Sequence, residues 1–186
     1  MALIADGVPL QVVQITTTAQ QTFNNANGTI VSGTITPIAP NSRFKIWIVA
    51  HTNTSDDSDA QNGASNPYCG CKVERSVAGG SYASADYLGV GGSGSYTQAH
   101  MDISPYRADD SINYNAGARY RMTNKVNVII DEPTYSLGQT ITYRLLVITR
   151  RDGYMGWIQM GAPEGFGTDD NYYNFPYGLH IQEIGS

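Results

Sequence analysis

Three histidines, two cysteines and several tight carboxylate groupings are the residues from which this chain could build chemistry. His51, His100 and His180 lie far apart, and none belongs to an HExxH or HxH arrangement that would aim two imidazoles at one metal ion. His51 follows an apolar run and His180 sits between Leu179 and Ile181, so packing and hydrogen bonding are their expected roles. A catalytic serine needs a base and an orienting carboxylate beside it, and no G-x-S-x-G elbow marks one. Asp56-Asp57-Ser58-Asp59, Asp109-Asp110, Asp131-Glu132 and Asp169-Asp170 offer hard oxygens. Asp56, Asp57 and Asp59, with Asn62, are the best calcium candidates, but the EF-hand spacing and its closing glutamate are missing. A solvated acidic loop is the better expectation. Cys69 and Cys71 are one residue apart, which strains a disulfide, and two ligands do not make a zinc site. The tract Gly89–Ser95 has the glycine content of a phosphate loop without its Lys-Ser/Thr. These residues predict no enzyme, no metal site and no cofactor.

Aromatic residues carry the stronger signal. Seven of the 19 fall in the last 33 positions: Tyr154, Trp157, Phe166, Tyr172, Tyr173, Phe175 and Tyr177. Tyr and Trp give wide, stiff, amphipathic contact area with few rotors to freeze. Five of the seven, interleaved with Gly, Pro, Asp and Asn over 161–178, read as an aromatic loop, and the set as a whole suits intrachain packing, a subunit interface or glycan stacking.

The elements that must position these residues are strands. Period-two patterning runs through 11–18, 28–37, 43–50, 124–131 and 139–149, and no stretch shows convincing helical periodicity. Phe44, Ile46, Ile48 and Ala50 form one face, with Trp47 and Val49 opposite. Val126, Val128 and Ile130 are expected to point inward, as are Ile141, Tyr143, Leu145 and Val147. Asp152-Gly153 reads as a hairpin turn, and Glu132-Pro133 ends a strand. The stretch 53–66 lacks strong hydrophobes and reads as a polar loop. The predicted fold is all-β, an antiparallel, jelly-roll-like β-sandwich with essentially no helix. Its 186 residues suit one domain over 10–186, preceded by an arm over 1–9.

A net charge of −5 argues against nucleic-acid binding, which needs clustered Lys and Arg. No run of apolar residues is long enough to span a membrane, and no basic segment followed by an apolar one opens the chain. Synthesis in the cytoplasm without membrane insertion is expected.

Several segments resemble a known module. Leu10-Gln-Val-Val-Gln-Ile-Thr-Thr-Thr, then Gly33-Thr-Ile-Thr-Pro-Ile-Ala-Pro-Asn-Ser-Arg-Phe-Lys-Ile-Trp-Ile, resemble the "LQVVQ" and "TITPSSxSSKILI" segments of marine bacteriophage and cyanophage tail-fibre and small virion structural (decoration) proteins. Asp131-Glu-Pro-Thr-Tyr-Ser-Leu-Gly-Gln-Thr-Ile-Thr-Tyr-Arg-Leu is similar to their "DSP" turn and "TYKV" strand, and Leu179-His-Ile-Gln-Glu-Ile to their "LxxxEI" ending. The specific part is the order of these segments. The chain departs from the pattern in Phe44-Lys45-Ile46-Trp47, in the polar stretch and in the aromatic loop. The resemblance implies a β-sandwich in a virion, with no catalytic residues to carry over. The module begins nine residues after Met1 with no shaft before it, which favours a capsid decoration protein or small head or tail appendage over a fibre. The expected partners are other virion proteins and further copies of the chain, a trimer being favoured. The alternative is a tail-fibre adhesin for a host surface glycan, and a glycan-degrading enzyme ranks third.

Overall fold

The computed structural model describes residues 7–19, 21–23, 27–56, 69–85, 99–103, 120–149, 155–160 and 176–185. Within them the chain forms strands β1 (Pro9–Thr17), β2 (Gln21–Phe23), β3 (Gly28–Ile35), β4 (Arg43–Asp56), β5 (Cys69–Val77), β6 (Ala83–Ser84), β7 (Met101–Asp102), β8 (Tyr120–Asp131), β9 (Ile141–Thr149), β10 (Met155–Met160) and β11 (Tyr177–Ile184), and no helix. Every pairing is antiparallel.

The first sheet runs β1-β11-β4-β8, with β10 and then β2 continuing from the far half of β4. The second runs β3-β9-β5, with β6 and β7 end to end along β5. The first strand thus lies beside the last, and the chain crosses repeatedly between sheets. Setting aside the small β2–β10 extension, this is the strand order of a jelly roll. The all-β sandwich expected from the alternation is the fold observed.

Alternation places the core. Phe44, Ile46, Ile48 and Ala50 of β4 and Leu179 and Ile181 of β11 meet Ile141, Tyr143, Leu145 and Val147 of β9 and Cys71 and Val73 of β5, all fully buried. Each large side chain here stabilises the fold by roughly 1.5–3 kcal/mol. Where β1 and β3 close one flank, Ile15 needs room. A Cβ on Gly33 would lie 2.8 Å from its side chain, and Gly178, at φ +141°, admits none against the Ile15 carbonyl.

Three expectations need correction. Val126 and Val128 face outward, 64% and 39% exposed, while Ile129 and Asp131 face the core. The inward polar residues of β8 have partners across the sandwich, and those partners set its face. The polar stretch from Asn53 begins as strand: β4 continues to Asp56 because Asn53–Ser55 are laddered to β8 on one side and β10 on the other. The strands flanking Asp152-Gly153 make no hairpin, since β9 pairs in one sheet and β10 in the other. The arm is tied down at its end, with Gly7 N–H donating to Gly185 O and Gly185 N–H to Val8 O, both at 3.0 Å.

Candidate functional site

The polar groups of the described residues gather in two buried nodes and on one outer face. The first node surrounds Glu183. In β11 it alternates in phase with Leu179 and Ile181, so its carboxylate is carried inward and is fully buried. It accepts hydrogen bonds from Gln11 Nε2 (2.5 Å), Ile38 N–H (3.1 Å), Ala39 N–H (3.1 Å) and Ser42 Oγ (2.7 Å). Gln11 also donates to Thr36 O at 2.8 Å. Tyr135, after β8, donates its hydroxyl to Ala39 O (2.7 Å) and accepts from Ser42 N–H (2.8 Å), while its ring meets Phe44 edge-on at 6.0 Å. These bonds satisfy a buried carboxyl group with oriented dipoles. With three of its donors in the β3–β4 turn, the carboxylate is a clamp on that turn.

The second node joins the sheets. Asp131, 1% exposed, accepts from the Arg75 guanidinium and from Tyr143 Oη at 2.8 Å. Burial, and then the Asp131 charge, push the Tyr143 phenol far above its ordinary range, so it acts only as a donor. Nearby, His100 fills the break between β6 and β7. Its Nδ1 accepts from Val73 N–H (2.9 Å) and its Nε2 lies 2.5 Å from Ala85 O. A ring that accepts at Nδ1 and donates at Nε2 is the neutral tautomer, standing in for a missing ladder residue. Asn127 Nδ2, from β8, donates to His100 O at 2.5 Å.

Two open clefts border these elements. One, of about 530 Å³, lies beside the first node and is lined by Arg43, Glu132, Asn41 and Thr134 among others. The other, of about 460 Å³, follows the β1–β3 flank past Val13, Ile15, Ile30 and Gly33. The outer face of the first sheet is different: cross-strand pairing sets Trp47 opposite Val128, Val49 opposite Val126 and Lys45 opposite Ile130. The Lys45 ammonium lies 4.9 Å over the Trp47 ring.

Of the contact residues expected from sequence, Tyr177 lies in β11 and is fully buried, its hydroxyl donating to Ala19 O at 2.5 Å. Burial pushes that phenol up to about 12. Tyr177 is therefore a core residue instead of a contact residue, because its inward phase in β11 outranks its turn-rich neighbourhood. Trp157 is placed only by its backbone, opposite Ser55. Tyr154, Phe166, Tyr172, Tyr173 and Phe175 lie outside the described residues, as do Asp57 and Asp59. Asp56 ends β4. Cys71 is a free thiol in the core, pushed up to about 12 by burial, which makes it inert. Among the described residues, no three His, Cys, Asp or Glu side chains gather to hold a metal ion. Glu183 and Gln11, which sequence reasoning did not single out for chemistry, build the first node, and Asp131, noted in sequence only as a paired carboxylate, builds the second.

No protein-family model matches the chain, and no curated protein or solved structure is similar enough to count as a match.

Proposed function

We propose that this chain is a structural protein of a bacteriophage virion, a capsid decoration or small head or tail appendage subunit that works by docking its surface. The observation that carries the reading is the first node. The resemblance to phage virion modules rests on four separated segments, and in the fold Gln11 of the first, Ile38, Ala39 and Ser42 of the second, Tyr135 of the third and Glu183 of the last meet in one hydrogen-bonded cluster. That the four segments share one node supports reading them as a unit. The jelly-roll order agrees, since that architecture recurs in viral coat and lectin domains, although the fold by itself decides no function.

Quantitative mass spectrometry of purified phage particles, read with their density map, tests this. A decoration subunit is present in many copies on the capsid. A few copies at the tail would move the assignment to a fibre or adhesin. Absence from purified particles would overturn it.

A further inference from the structure

Among the described residues the sheet edges are blunted, with one exception. β2, β6 and β7 have at most three residues, β1 opens on Pro9 with a register shift before Gln11, and β3 has a shift between Thr29 and Val31. Short length, proline and bulges are the usual devices that stop an edge from recruiting another strand. β8 has none of them. It runs for 12 residues, is laddered to β4 without a register shift, contains no proline, and has no strand on its other edge among the described residues. Its outward row is Val126, Val128 and Ile130, flanked on β4 by Val49 and Trp47. An edge with unblunted backbone groups and an apolar row is a pairing surface.

We infer that β8 pairs with β8 of a second copy of this chain, antiparallel, across a two-fold axis at Val128. This strand is self-complementary in that arrangement. Val128 meets itself, Val126 meets Ile130 of the second copy, and the reciprocal pair follows, so every outward apolar residue faces another. Pairing 125–131 spans about 24 Å, which over a sandwich flank roughly 20 Å deep covers about 500 Å² per partner. The total of about 1,000 Å² sits at the lower bound of a specific interface, so the dimer is a modest, concentration-dependent one. The inference does not use the virion assignment and fails or survives separately from it.

The test is solution mass by light scattering, at concentrations well above micromolar, with two variants. The wild-type chain should approach twice 20.1 kDa. Val128→Lys brings two ammonium groups together on the axis and should return the mass to a single chain, with an unchanged circular-dichroism melt because Val128 lies on the outer face. Val128→Cys should form a disulfide-linked dimer on mild oxidation, since directly opposed antiparallel residues have Cα atoms about 4.5–5.5 Å apart, within disulfide range. Val12→Cys, outward-facing and exposed on the opposite flank, is the control, together with the unmodified chain with its native cysteines. A wild-type mass of one or three chains, a Val128→Lys mass equal to wild type, or cross-linking of Val128→Cys no faster than Val12→Cys would each overturn the pairing.

Discussion

On the outer face of the β3-β9-β5 sheet, Glu74 accepts hydrogen bonds from Lys72 Nζ at 2.9 Å and Arg144 Nη2 at 2.6 Å, and the Arg144 guanidinium lies 3.7 Å over the Tyr82 ring. On the outer face of the other sheet, Trp47, Val49, Val126, Val128 and Ile130 lie together, and a single ammonium crosses the tryptophan. Both faces come from strands with the same alternation and cover one core. The first satisfies its charges internally and leaves polar atoms for water. The second leaves apolar surface that water solvates poorly, at roughly 25 cal/mol per Å². The difference teaches that composition alone does not locate a contact surface here. The chain is poor in charge throughout, but among the described residues only one face combines that poverty with an apolar edge.

The comparison breaks first if β8 is turned the wrong way. With Asp131 inward, Asp131→Ala strands the Arg75 guanidinium and the Tyr143 hydroxyl, and should lower the unfolding free energy by about 3–5 kcal/mol. Val126→Ser, outward, should change it by no more than about 0.5 kcal/mol. Urea denaturation of both variants gives the order, and a reversed order would put the apolar row in the core. Next in size is Glu183→Ala, which leaves two backbone N–H groups and a serine hydroxyl without their acceptor. A loss of roughly 2–4 kcal/mol is expected, with Glu183→Gln recovering part of it. A neutral Glu183→Ala would mean that the node does not lock the turn, and with that the support for the proposed function goes. His100→Ala removes side-chain bonds to Val73 N–H and Ala85 O and should cost about 1–3 kcal/mol. Faster hydrogen exchange at Val73 would be its local signature.

How far the sequence reveals this depends on whether one period or several partners decide a position. β4 over 43–50 and β9 over 141–147 were legible because the inward residues there are apolar or, as with Tyr143, an aromatic that can bond at its tip. β8 was not, since its two faces compete. Val126, Val128 and Ile130 outweigh Ile129 by hydrophobicity, but Asn127 and Asp131 find partners on elements distant in sequence, and those bonds choose the face. The nodes had a usable signal: Glu183 in phase with Leu179 and Ile181 marks an acid carried into a core. Nothing in the sequence names its donors, which come from turn backbone and a strand at the other end of the chain.

The smallest expected effect concerns the charged face. Burial pushes the Glu74 carboxyl up, but hydrogen bonds from Lys72 and Arg144 and their charges outweigh it and hold the group below its ordinary 4.5. The folded state therefore binds this proton more weakly than the unfolded state. The stabilisation is present in full above about pH 4.5 and fades as the pH falls through the lower folded value. Being a surface network, it should contribute no more than about 1 kcal/mol, reduced by salt. Glu74→Ala should lie below wild type by that margin at pH 7, converge with it in acid, and leave the solution mass unchanged. A Glu74→Ala variant that altered the mass would place an interface on the charged face too, and the contrast between the two faces would then no longer identify where this protein makes its contacts.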